Sequence, residues 1–143
     1  MFGILCALIS GVAMSVQGVF NTRLGEKIGV WETTLIVQVI ALIVSIVVFF
    51  FLRDGDFTNL KEVNKLYLLG GILGVVITFT VMKSVSSMGP TLGIGIILVS
   101  QLLVAALIDA LGLFGSDKIK FSLNHFLGIA IMIIGIVIFK WNH

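Results

Sequence analysis

The chain has 143 residues, of which 59% are hydrophobic and only 11% charged, with a mean hydropathy of +1.22. A soluble domain carries roughly 25% charged and about 45–50% apolar residues, and a fold this small has too much surface to hide such a surplus from water, which leaves an all-α integral membrane protein as the fold class. The net charge of +2 is scattered, without a basic run, which excludes nucleic acid as a partner. The single cysteine, Cys6, and two histidines, His125 and His143, exclude a disulfide or a metal centre within one chain.

About 20 mainly apolar residues are needed to cross the ~30 Å hydrocarbon layer as a helix. Five stretches meet that length, at about 2–22, 31–52, 66–86, 91–114 and 123–141, and predict a single transmembrane domain spanning 1–143. The first lacks a basic leader and a small-residue cleavage pattern, and so reads as a retained helix rather than a signal peptide. The second holds the strongest apolar run, Val44 to Leu52. Between it and the third, Asp54-Gly55-Asp56 signals a turn, and Leu60, Val63 and Leu66 are spaced for a short interfacial helical turn. Met88-Gly89-Pro90 predicts a tight joint before the fourth. Trp31, Tyr67 and Trp141 fall at helix ends, where aromatic rings prefer the headgroup level. No apolar–polar alternation supports a transmembrane barrel.

Alternating crossings place Arg53, Lys61, Lys65, Lys118 and Lys120 on one side, and Arg23, Lys27, Lys83 and Lys140 on the other. The positive-inside rule acts on an asymmetry between the sides, and five against four gives almost none. The balance predicts dual topology as the alternative to a weakly biased fixed one. Two oppositely oriented copies would form a ten-helix inverted assembly of the kind secondary transporters use.

Polar side chains inside a membrane face a bundle interior or a wet cavity, because hydrocarbon satisfies none of their hydrogen bonds. Ser10, Met14, Gln17 and Asn21 share one face of the first helix, and Gln38 lies on a similar stripe of the second. Ser100 and Gln101 lie on the fourth. These seven are the candidate substrate-binding residues. An amide both donates and accepts, which suits a polar or zwitterionic solute; the same amides also serve as ordinary interhelical hydrogen bonds. Glu32, Asp109 and Lys83 are candidate charge-coupling groups, although each lies near a helix end, where a cap or a snorkelling side chain is equally expected. Gly70, Gly74, Gly89 and Gly93, in two small-xxx-small pairs, are candidate helix-packing positions. No nucleophile–base pair or metal constellation is present, so neither an enzyme nor a cofactor is expected.

Three stretches carry a family resemblance: GVAMSVQGVFNTRLG from Gly11 to Gly25; GGILGVV from Gly70 with MGPTLGIG from Met88; and VSQLLVAALIDALGLFG from Val99 to Gly115. Together they resemble the YdcZ-like inner-membrane family of the drug/metabolite transporter superfamily. The resemblance implies a half-unit of five helices, a bacterial inner-membrane location and export of a small molecule. Gln17 falls near the place where the related small multidrug resistance proteins carry a proton-exchanging carboxylate, and an amide cannot take that role. The expected function is export of a small polar or amphipathic solute by alternating access. The expected partners are the lipid bilayer, that solute, and a second copy in a parallel or antiparallel homodimer, or a homologous subunit. A passive channel and a non-transporting subunit of a larger membrane complex are the competing classes.

Overall fold

Valine and isoleucine dominate the apolar runs, and in water such residues favour strands. Hydrocarbon offers the backbone no hydrogen-bonding partner, so each run closes its bonds internally as a helix. The computed structural model describes residues 1–120 and 122–141. It contains α1 (Phe2–Ile28), α2 (Val30–Leu52), α3 (Gly70–Met88), α4 (Pro90–Leu111) and α5 (Leu123–Trp141), with 3₁₀ turns at Phe57–Lys61, Lys65–Leu69 and Leu113–Gly115. All five helices, the third taken together with the 3₁₀ turn Lys65–Leu69, are long and apolar enough to cross a membrane, and the described residues contain no strand.

Helix boundaries depart from the sequence expectation for local physical reasons. α1 continues six residues past Thr22, to Ile28. Arg23 and Glu26, which look like a connector, pair at 3.1 Å on the helix surface, Lys27 sits in the last turn, and Gly29 N–H closes the end on the Gly25 carbonyl. α4 stops at Leu111 because Gly112 turns left-handed (φ 65°, ψ 41°) as a C-cap. Phe114, expected as the end of this helix, has φ 57° and lies in the following turn. The chain then folds back, and Ile119 N–H donates to the Asp109 carbonyl at 2.9 Å. Ahead of α3, the interfacial turn forms as two 3₁₀ segments started by carboxylate and amide caps: Thr58 N–H donates to Asp56 Oδ1 at 2.9 Å and Leu66 N–H to Asn64 Oδ1 at 3.0 Å. The Thr58 backbone bond, followed by its side-chain hydroxyl, holds the Asp56 carboxyl below the ordinary aspartate range.

The chain divides into two units, Met1–Ser86 and the residues from Ser87 onward. In the first, a single residue separates α1 from α2: Gly29, with φ 102° and ψ 151°, a region essentially reserved for glycine. The packed end of this unit lies beside that joint, where Gly18, Asn21 and Thr22 of α1, Thr33 and Thr34 of α2, and Met82 and Val85 of α3 are buried. Trp31 stacks on Phe79 with ring centroids 4.7 Å apart. From Val39 to Leu52, α2 is exposed throughout, Phe50 to 75% and Phe51 to 82%, a surface that only lipid or another apolar chain would cover.

In the second unit α4 packs on α5, with Ile136 side-chain atoms 3.6 Å from where a Cβ on Gly95 would lie. Further along, the pair encloses an apolar cleft of about 340 Å³ walled by Leu103, Leu107, Phe126 and Ile133. Gly89, with φ 79° and ψ 164°, is the only residue between α3 and the proline that opens α4.

Candidate functional site

The polar face of α1 forms as the spacing requires, and it is longer than predicted, because Gly25 continues the series Ser10, Met14, Gln17, Asn21 by one more turn. The face changes character along its length. Ser10, Met14 and Gln17 are exposed, whereas Asn21 is buried to 8% beside Thr22. Thr22 satisfies its hydroxyl by donating to the Gly18 carbonyl at 2.7 Å. Among the described residues, neither the Gln17 nor the Asn21 amide has a hydrogen-bond partner. Gln17 stands two residues past the midpoint of α1, about 3 Å along the axis.

Gln38 is half-buried, with Nε2 3.7 Å from the place a Gly74 Cβ would take, so its amide lies over a glycine of α3. In the second unit, Ser100 donates to its own helix at the Ile96 carbonyl (2.9 Å), and Gln101 is exposed. These two residues flank the midpoint of α4. The charge-coupling candidates lie near helix ends. Glu32 is the third residue of α2, and its carboxylate curls over Gly29, where a Cβ on that glycine would meet it. Asp109 is half-buried in the last turn of α4. Lys83 is exposed on α3.

The four packing glycines divide by role. A Cβ on Gly70 would meet nothing within 4 Å, Gly74 abuts Gln38, Gly89 is the joint described above, and Gly93 is buried. The tightest approach between α1 and α3 uses Gly18, where a Cβ would lie 3.2 Å from Val81 Cγ1, and Gly25, where it would lie 3.4 Å from Met82 Sδ.

A cavity of about 80 Å³ opens at this α1–α3 contact, lined by Thr22, Gly25, Glu26, Val30, Met82, Lys83 and Ser86. Only Lys83 of this group was picked out by sequence reasoning. Thr22, Gly25 and Glu26 escape it once the first helix is ended at Thr22; continuing the 10–14–17–21 stripe one turn would have reached Gly25. Thr33 escapes because the polar stripe through Gln38 runs through Thr34, four residues before it, and leaves Thr33 to one side. In the structure Thr34 donates to the Val30 carbonyl at 2.8 Å, whereas Thr33 is fully buried and its hydroxyl has no partner. No group of three or more His, Cys, Asp or Glu that could hold a metal occurs among the described residues.

A family model described as "Putative inner membrane exporter, YdcZ" matches residues 2–138. No curated protein and no solved structure matches the chain. The match runs from the start of α1 into α5, so it includes every candidate site residue. With five helices capable of spanning the bilayer and a family match over nearly its whole length, the chain belongs to the YdcZ family of the drug/metabolite transporters and is a multi-pass protein of the inner membrane.

Proposed function

We propose that the protein exports a small polar solute by alternating access, and that two copies form the transport unit. The observation that carries this reading is the placement of the amides. Gln17 and Gln101 stand at or close to the middles of their helices and are exposed in the single chain, without hydrogen-bond partners among the described residues. Hydrocarbon would leave both unsatisfied, at a cost of about 1–3 kcal/mol each on protein mutational scales. A second copy, or a solute held between copies, removes that cost. The near balance of basic residues across the two sides favours copies inserted in opposite orientations.

The chemistry of the amides also narrows the cargo. Glu32 and Asp109 both lie within three residues of a helix end, so no carboxylate stands at mid-helix beside Gln17, Gln38 or Gln101. Amides bind neutral and zwitterionic groups through paired donors and acceptors, and they exchange no protons. Solute binding then shifts the inward–outward equilibrium only by its differential affinity for the two states.

Proteoliposomes loaded with a mixture of small polar solutes, with each efflux rate followed by mass spectrometry, test this reading. At least one solute is expected to leave faster in the presence of protein, and Gln17→Ala to slow that efflux while leaving the helical circular dichroism intact. Efflux equal to that of empty liposomes for every solute would contradict export, and discrete conductance steps in planar bilayers would replace the transporter by a channel.

A further inference from the structure

The cavity between α1 and α3 is lined by residues of opposite charge. Glu26 and Lys83 both line it. Glu26 Oε2 accepts from Arg23 at 3.1 Å, which leaves Oε1 without a partner, and Lys83 makes no ion pair with any described residue. Ser86 adds a hydroxyl to the wall, and Thr22 an oxygen that still accepts after donating to Gly18. At about 80 Å³, and with a water needing about 10–15 Å³ on such a measure, the space holds several waters or the polar end of a small molecule. It is too small to enclose a drug-sized ligand.

The floor supplies an independent observation. Gly25, Val30 and Met82 line the cavity, and the same three bound the notch left by the absent Gly25 side chain; the Thr33 hydroxyl faces that notch, 3.7 Å from where a Cβ would stand. Thr33 is 0% exposed and its Oγ1 has no partner. A buried hydroxyl without a partner costs about 1–3 kcal/mol, and a neighbouring threonine, Thr34, avoids that cost by bonding to its own helix. An unpaired hydroxyl thus lies behind the glycine of a cavity that Glu26 and Lys83 also line.

We propose that this cavity binds a small zwitterion, with the ligand's ammonium group on Glu26, its anionic group on Lys83, and its body against the Gly25 wall in front of Thr33. Two sources present this chemistry: a free amino-acid-like solute, and the ethanolamine phosphate headgroup of a membrane lipid. The site is distinct from the mid-helix amides. Only the identification of its ligand as cargo rests on the transport reading.

Binding is measured by isothermal titration calorimetry on full-length protein in nanodiscs of phosphatidylcholine and phosphatidylglycerol, with glycine and O-phosphoethanolamine as probes. At least one probe is expected to bind. Lys83→Gln and Glu26→Gln, both at exposed positions, are each expected to weaken it at least tenfold. Gly25→Ala places its methyl at ordinary contact distance from Met82 and Thr33, and is expected to weaken binding with unchanged thermal unfolding. Glycine binding assigns a free solute. Binding of O-phosphoethanolamine alone, competed by adding phosphatidylethanolamine to the nanodiscs, assigns the lipid headgroup. Heat from neither probe, or undiminished binding in both charge variants, would overturn the site. Since no transport is involved, binding without efflux would count against export alone, and efflux without binding would count against this site alone.

Discussion

The single-residue joints at Gly29 and Gly89 give a stability prediction that can be worked through. Both glycines lie in a backbone region that costs a residue with a side chain about 1–3 kcal/mol, with φ/ψ of 102°/151° and 79°/164°. Their surroundings differ. A Cβ on Gly89 meets nothing within 4 Å, whereas one on Gly29 runs into the Glu32 carboxylate. Gly89→Ala therefore carries the backbone cost alone, about 1–3 kcal/mol. Gly29→Ala carries it together with displacement of a carboxylate from the first turn of α2, which adds about 0.3–1 kcal/mol. Gly11→Ala is the control, since its Cβ also meets open space but the helical backbone there favours alanine by roughly 0.5–1 kcal/mol. Equilibrium unfolding by sodium dodecyl sulfate, followed by circular dichroism, should rank the stabilities Gly11→Ala above wild type, then Gly89→Ala, then Gly29→Ala. Adding Glu32→Ala to Gly29→Ala should make the second substitution cost less than it does in wild type. A Gly29→Ala protein as stable as wild type, or less affected than Gly89→Ala, would refute the reasoning.

In ligand-free protein, Thr33→Val removes a fully buried hydroxyl that has no partner and should raise stability by about 1 kcal/mol in the same assay; a loss of that size would mean the hydroxyl is bonded. The capped turn at Asp56 should be acid-sensitive. Its carboxyl is held below the ordinary aspartate range by the bonds from Thr58, so the stabilisation is present above that range and disappears as pH falls through the lowered value. Amide exchange at Thr58 should accelerate in that acid window, and an Asp56→Ala protein with the same Thr58 protection as wild type would contradict the cap. With Cys6→Ser as background and Gly55→Cys as a label site on the exposed loop, a membrane-impermeant maleimide applied to spheroplasts should modify about half of the protein if insertion is dual; labelling of all or none would fix one orientation.

Five helices were readable in the sequence because hydrocarbon imposes a length and a composition that few other structures share. Their ends were harder to place. Charge and glycine were read as connector at Leu24–Val30, where the helix in fact continues to Ile28 with an internal ion pair, and apolar character was read as helix at Leu113–Phe114, where Gly112 has already ended it. The polar stripe through Gln17 and Asn21 followed from periodicity alone. The Gly25 cavity did not, because it depends on where α3 lies against α1, and no spacing within one helix reports a neighbour. The difference between Thr33 and Thr34 is likewise a matter of which hydroxyl reaches its own helix, and adjacent threonines carry no sequence mark of that.

The claim on which the account depends most is that a second copy covers the amide face of α1. In a Cys6→Ser background, Gln17→Cys places one thiol on that exposed face near the middle of the helix, at a depth where two copies would bring their thiols together in either relative orientation. Treatment of native membranes with a short bifunctional maleimide should give a discrete cross-linked dimer, and a lipid-soluble monofunctional maleimide added first should react slowly. A monomer that remains uncross-linked and reacts rapidly with the lipid-soluble reagent would show the face open to lipid, and would contradict the dimeric transport unit.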